Sequence, residues 1–522
     1  MAPYAEVVYQ LMHETPLQLQ ALLLLFFILL LHLATTTSSR NKAKRLPPSP
    51  PGLPVIGHLH LVGDLPHVSL CNLSRTHAPD GLMLLRLGAV PNLVVSSPPA
   101  AEAIMRTHDH MFASRPPSNI AAVLLYGPSS GIGFSPYGEH WRQARKLVTT
   151  HLFSVKKVQS YRVARLHEVK QVMARISEAA ASNAAVDLGE TMNAYANDMV
   201  CRAVSGKFFR AEGRNKLFRE LVEANTALLG GFNLEDYFPR LAILNRFVSN
   251  KAEQAHRRWD ELLETIISDH EKNSMHEENR TGEQEEADFT DVLLSVQQEF
   301  RGITRDHIKA ILMDIFAAGT DTSALVLEST MAELIRNPQL MIKLQSEVRN
   351  NTPRGQELVE EENLSGMNYL KAVVKETLRL YPPVPLLLPH LAMTDCEVDG
   401  YTIPAGTRAI INSWALGRYP GSWEKPEEFV PERFLEGGAR AAVDLRGKDF
   451  QFVPFGAGRR ICPGLNFGLA TVEIMLANLA YFFDWELPAG VKKEDVDMAE
   501  VFGLTVRRKE KLMLVPRTHI AV

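Results

Sequence analysis

The sequence predicts a mainly α fold with a minor β-sheet region. Most of the interval from residue 98 to about residue 348 reads as helices. Strand-like runs are few and short: 83–87, 92–95 and 512–515, with a hairpin over 399–412 punctuated by Gly400, Pro404 and Gly406. The 522 residues, 46% of them hydrophobic, contain neither an internal repeat nor a Gly/Ser linker, so one large domain follows the N-terminal segments. A formal charge of −4 carries no basic bias and argues against nucleic acid as a partner. Four scattered cysteines, Cys71, Cys201, Cys396 and Cys462, form no Cys-x-x-Cys pair and suggest neither a disulfide framework nor a zinc site.

From the N-terminus, residues 17–34 are nearly all apolar, with only Gln18, Gln20 and His32 intruding before Ala34. At 1.5 Å per residue an 18-residue stretch just crosses a bilayer. Arg40, Lys42, Lys44 and Arg45 follow it, whereas Glu6 and Glu14 precede it without any Lys or Arg. The positive-inside rule then puts residues 1–16 in the lumen, a single transmembrane anchor at 17–34, and residues 55–522 in the cytosol. A cleaved secretory signal would carry its basic residues on the other flank. Residues 35–54 read as a basic, proline-rich hinge whose prolines favour stiff polyproline II backbone. Six acids in the fourteen residues 275–288 mark a solvated loop. The stretch 306–336 reads as one long helix bounded by Pro338, yet Gly319 and the β-branched threonines after it interrupt helix propensity at one spot. Local rules broken together mark a functional site.

The most informative run is Phe455-Gly456-Ala457-Gly458-Arg459-Arg460-Ile461-Cys462-Pro463-Gly464. Gly458 and Gly464 permit turns and close approach, so the loop can press against a flat macrocycle and aim the Cys462 sulfur at an iron. Arg460 is near enough to pair with a carboxylate of such a group. A Gly/Arg-rich surface turn is the alternative. Upstream lie Trp141-x-x-x-Arg145, Ala318-Gly319-Thr320-Asp321-Thr322-Ser323, Glu376-Thr377-Leu378-Arg379 and Pro431-Glu432-Arg433-Phe434. Alone, a Glu-x-x-Arg is a solvated helix pair worth tenths of a kcal/mol, and Trp141 with Arg145 is ordinary packing.

Taken in this order, the motifs resemble the cytochrome P-450 superfamily over residues 47–517. The resemblance implies haem b with Cys462 as axial iron ligand in a loop shaped by Phe455, Gly458 and Gly464, and propionates gripped by Trp141, Arg145 and Arg460. It implies a buried ion network of Glu376, Arg379 and Arg433. It also implies a bulge in the long helix that opens a groove for O2, with Asp321 and Thr322 relaying protons. His390 stands where relatives generally place a propionate-binding arginine. A thiolate ligand favours O–O cleavage and hence monooxygenase chemistry. No Gly-x-Gly-x-x-Gly follows a strand, so electrons come from NADPH through a separate membrane-bound reductase, which Arg142, Lys146 and Arg459 would face. The endoplasmic reticulum membrane is the implied location. A haem-thiolate isomerase or dehydratase often lacks the threonine matched by Thr322, and a membrane haem-binding carrier needs neither Asp321 nor Thr322. The pairs His58/His60 and His108/His110 have metal-like spacing but no convergent acid or cysteine.

By the same resemblance the substrate region comprises 114–134, 228–238, 315–319, 384–388 and 501–505. These stretches are largely apolar and suit a small apolar aromatic molecule. Residues 200–208, 214–241, 303–323 and 495–516 resemble the monooxygenases that build benzoxazinoid defence compounds in grasses. This implies oxygenation of indole at C2 to indolin-2-one, or alternatively of indolin-2-one, 3-hydroxyindolin-2-one or a related benzoxazinone. Ala317 departs from that group, in which glutamate is usual beside the oxygen groove.

Overall fold

The computed structural model describes residues 25–26, 45–206, 214–231, 233–239, 246–277, 288–299 and 302–519. Most of the predicted membrane anchor, the lumenal segment and most of the acidic stretch 275–288 lie outside the described residues. Residues 275–277 complete the helix Arg246–Glu277.

The helix Arg305–Arg336 runs through the middle of the protein and is packed by Leu188–Ser205, Arg214–Gly230, Asn368–Leu380 and Leu465–Phe482. It starts at a capping box in which Thr304 Oγ1 accepts from the His307 N–H and His307 Nδ1 accepts from the Thr304 N–H. It stops at Asn337, and Pro338 opens the next helix, Pro338–Asn351, where its missing N–H costs nothing. The expected bulge at Gly319 is absent: the backbone is α-helical throughout. Gly319 has another cause, because a Cβ there would sit 2.6 Å from Val200 Cγ2 on Leu188–Ser205. Only glycine lets these two helices approach so closely. Arg305–Arg336 and Leu465–Phe482 are long and apolar enough to cross a membrane, yet both are mostly buried, as central core helices are.

The strands are β1 (Leu82–Leu87), β2 (Val90–Val95), β3 (Val186–Asp187), β4 (His390–Leu391), β5 (Cys396–Val398), β6 (Tyr401–Ile403), β7 (Arg408–Ile411), β8 (Phe483–Glu486), β9 (Glu500–Val501), β10 (Arg507–Arg508) and β11 (Met513–Thr518). The main sheet has the order β1-β2-β7-β4, with β2 parallel to β7 in a register that pairs Val94 with Ile410. The expected strands at 83–87, 92–95 and 512–515 are present. The hairpin over 399–412 needs correction. Its turn is Asp399-Gly400, both at positive φ, so the strands flanking it are β5 and β6. β7 leaves the hairpin and joins the main sheet.

The described end of the hinge is docked on this β region. Leu84 N–H donates to Pro48 O at 2.9 Å and Thr402 N–H to Arg45 O at 2.8 Å. His58 links Pro50 O to the Arg86 N–H, which accounts for that histidine without a metal.

Candidate active site

Between the short Gly458–Arg460 turn and the helix Leu465–Phe482, the chain folds Cys462 into the wall of a cavity of about 340 Å³. The Cys462 N–H donates to Phe455 O at 2.9 Å and closes the loop. Gly458, at φ 63°, lies so close to the Met105 carbonyl that any side chain would strike it. A Cβ at Gly464 would stand 3.8 Å from Cys462 Sγ, and Phe455 lines the same wall. Burial pushes the Cys462 thiol up, opposed by the Gly464 backbone N–H and Arg145. A bound metal would deprotonate such a thiol outright.

Three arginines converge on one end of the cavity: Arg115, Arg145 and Arg460. Their hydrogen-bond acceptors among the described residues are all backbone carbonyls. Arg460 donates to Ala113 O at 2.7 Å, Ile132 O at 3.2 Å and Ser135 O at 2.7 Å. Arg145 donates to Ile461 O at 2.6 Å, and Arg115 to Gly133 O at 3.0 Å and Leu388 O at 2.7 Å. Burial, then the charge of Arg145, pushes Arg460 down to about 9. Burial, then Arg460 and Arg145, lowers Arg115 as well. Trp141 lies beneath the Arg460 guanidinium at 4.2 Å, and its buried Nε1 has no partner among the described residues. Crowded cations and an unused N–H beside an apolar hollow are the complement of a flat apolar group bearing carboxylates. The residues present therefore fit haem b.

Arg115 was not among the residues singled out by sequence, although a signal existed: it is the only charged residue between Met111 and Gly138. His390 reaches the same wall as a neutral ring. Burial, then Arg115, pushes it down to about 3, and its Nδ1–H donates to Phe112 O at 2.8 Å.

The structure also brings Glu376, Arg379 and Arg433 together, all buried. Glu376 Oε1 accepts from Arg379 at 2.8 Å, Arg433 Nε at 3.1 Å and Val430 N–H at 2.7 Å, and Oε2 accepts from Arg379 Nε at 2.7 Å. The other donors of Arg379 reach Gly417 O, Pro426 O and Glu428 O.

On the central helix, Ala317, Ala318, Gly319, Thr322 and Ser323 line the cavity. Thr322 Oγ1 donates to Ala318 O at 2.8 Å. Asp321 is not brought to it, because successive helical residues diverge by about 100°. Its carboxylate instead accepts from Asn193 Nδ2 at 3.0 Å and Thr226 Oγ1 at 3.4 Å. Thr226 does line the cavity. Of the stretch 228–238 only Leu229 reaches the wall among the described residues, with Asn225 and Thr226 just before it. Asn225 accepts from Trp259 Nε1 at 3.1 Å, and its buried Nδ2 has no partner among the described residues. Asp314, one residue before the stretch expected from sequence, also lines the cavity. Burial pushes its carboxyl up, opposed by the N–H groups of Ile132 and Gly133. The exposed Arg142 pairs with Glu139 at 2.5 Å and Arg459 with Asp109 at 2.5 Å.

A family model described as "Cytochrome P450" matches residues 47–515. The chain belongs to the cytochrome P450 family. As a cytochrome P450 it is a monooxygenase that carries haem b and draws on NADPH through a reductase. It is 57% identical to indole-2-monooxygenase of Zea mays, over 91% of this chain and 88% of that one. It is 55% identical to indolin-2-one monooxygenase of Zea mays over 90% and 89%. It is 53% identical to the maize 3-hydroxyindolin-2-one monooxygenase over 91% and 89%. Among solved structures, a zebra fish cytochrome P450 with progesterone superposes at a TM-score of 0.71, with 23% identity over 87% of this chain and 99% of that one. The P450 fold, mostly helical with minor sheets, is thereby shown.

Proposed function

We propose that this P450 oxygenates a small apolar indole-type metabolite, first of all indole at C2 to give indolin-2-one. The carrying observation is one apolar cavity that has Cys462 and Thr322 on its walls and three carboxylate-free arginines with the unpaired Trp141 Nε1 at one end. The similarity to three maize enzymes named for indole and its oxidised forms supports the substrate class. When bound through a cysteine thiolate, haem b supplies activation of O2.

The chain's own residues do the rest. Cys462 ligates the iron. Trp141, Arg115, Arg145 and Arg460 hold the propionates, and Phe455, Gly458 and Gly464 let the loop lie flat. The ion network of Glu376, Arg379 and Arg433 ties the helix Asn368–Leu380 to the segment 417–433. Thr322 holds a proton at Oγ1 on the cavity wall, while Asp321 acts at one remove through Thr226, whose hydroxyl lies 3.4 Å from Asp321 Oδ2. Residues 17–34 anchor the protein in the endoplasmic reticulum membrane, 1–16 lie in the lumen, and 35–54 join the anchor to a cytosolic catalytic domain, 55–522. The exposed side of the cysteine loop, with Arg142, Lys146 and Arg459, receives the reductase.

A second reading, hydroxylation of indolin-2-one, is favoured by Asn225. Its unpaired amide N–H suits a lactam carbonyl, an acceptor that indole lacks. Membranes holding the full chain and a reductase, given NADPH with indole or indolin-2-one, test both. Products identified by mass should include oxygenated indole; consumption of neither compound defeats the reading. An alkaline wash that strips the full chain from membranes defeats the anchor.

A further inference from the structure

Asp314 carries more polar capacity than its visible contacts use. The carboxylate projects from the central helix to the segment 130–134, where Oδ2 alone accepts both the Ile132 N–H at 2.5 Å and the Gly133 N–H at 3.0 Å. Oδ1 accepts no hydrogen bond among the described residues. The flanking Met313 and Ile315 are fully or almost fully buried, whereas Asp314 keeps accessible surface, and it belongs to the cavity wall. That wall is dominated by side chains such as Leu125, Val200, Leu229 and Leu504, which offer no donor. Oδ1 is not a fully enclosed atom, so within this apolar wall it stands open to a ligand's donor in place of water.

We propose that Asp314 is a specificity-determining residue that accepts the ring N–H of an indole-type substrate at Oδ1. This rests on the indole-class reading above and deepens it. The N–H satisfies the open oxygen by a charge-assisted bond. One fixed contact at N1 orients the bicycle, because the adjacent C2 is then held at a set distance from the central helix. Sites built to hydrogen-bond a substrate group discriminate against analogues lacking it far better than apolar pockets discriminate by size. The predicted class is therefore narrow: flat bicyclic aromatics or lactams with a free N–H.

The clamp on Ile132 and Gly133 and the substrate contact are separable, since one oxygen makes both backbone bonds. In Asp314→Asn the amide oxygen can keep that clamp while the NH2 group turns a donor to the cavity. The experiment is a titration of the full-length haem-loaded protein, in membranes, with indole, benzofuran and 1-methylindole, followed through the substrate-induced shift of the haem absorption band. The wild-type protein should bind indole about 10- to 100-fold more tightly than benzofuran, a near isostere without the N–H. Asp314→Asn should bring that ratio to about 1 or invert it toward the oxygen of benzofuran, with the melting temperature little changed. The inference is overturned if the ratio is near 1 in the wild type, or if it persists in Asp314→Asn. Indole that is bound and oxygenated with an unchanged ratio sinks the Asp314 role alone. If none of the three compounds perturbs the band, the indole-class reading falls with it.

Discussion

Replacing Glu376 by glutamine tests the buried ion network of Glu376, Arg379 and Arg433. Glu376 and Arg379 are 0% and 1% exposed and Arg433 is 8% exposed, so two cations share one buried carboxylate. Its two oxygens receive four N–H donors at 2.7 to 3.1 Å. Glutamine removes the charge and turns an NH2 group toward at least one arginine N–H, placing donor against donor. Breaking one partner of a buried ion pair costs about 3–5 kcal/mol, a large part of the roughly 5–15 kcal/mol that holds a folded protein together. Glu376→Gln should therefore lose most of its haem-loaded, folded yield. The assay compares thermal melting and the thiolate-type band of the carbon-monoxide complex against Glu357→Gln, which removes one partner of the exposed pair Lys170–Glu357. That surface variant should behave like the wild type. A Glu376→Gln protein that melts and loads haem like Glu357→Gln would refute the reasoning.

Thr322→Ala should leave haem loading and substrate-induced spectral shifts intact while product per NADPH falls about 100-fold, the low end for a positioned proton-transfer group; Ser323→Ala should matter less. Peroxide and hydroxylated product measured side by side check this, and unchanged coupling contradicts it. Glu473, on the helix Leu465–Phe482, is pushed by burial from the ordinary 4.5 up to about 7. The folded state thus prefers its protonated form, and stability falls as pH rises from about 4.5 through about 7. Glu473→Gln should match the wild type near pH 4.5 and exceed it by about 2–3 kcal/mol above pH 8; equal melting temperatures of the two proteins at high pH would contradict this.

What could be read from the sequence was what short spacing encodes. Cys462 with its glycines, and Glu376 with Arg379 one turn on, are local patterns whose geometry follows from the backbone that carries them. Arg433 was placed by its own motif, although 57 residues separate it from Glu376. Asp314 and Asn225 escaped notice because their importance arises from contacts that no local pattern announces. Asp314 meets Ile132 across 182 positions of sequence, and Asn225 meets Trp259 across 34. Gly319 was recognised as an exception, but its reason lies on another helix, at Val200. Asp321 is the converse case. It is adjacent to Thr322 in sequence, yet the turn of the helix sends its carboxylate to Asn193 and Thr226. Gly400 is a turn residue as its type implies, but the turn pairs Cys396–Val398 with Tyr401–Ile403, while Arg408–Ile411 finds its partner in Val90–Val95, more than 300 residues earlier.

Cys462 is the cysteine proposed to hold the haem iron. Cys71, Cys201 and Cys396 are each buried, and burial raises the thiol pKa of each. The direct test is the carbon-monoxide spectrum of the reduced protein with each cysteine changed to alanine in turn. Cys462→Ala should lose the thiolate-type band while the other three variants keep it; a Cys462→Ala protein that retains the band would contradict the account.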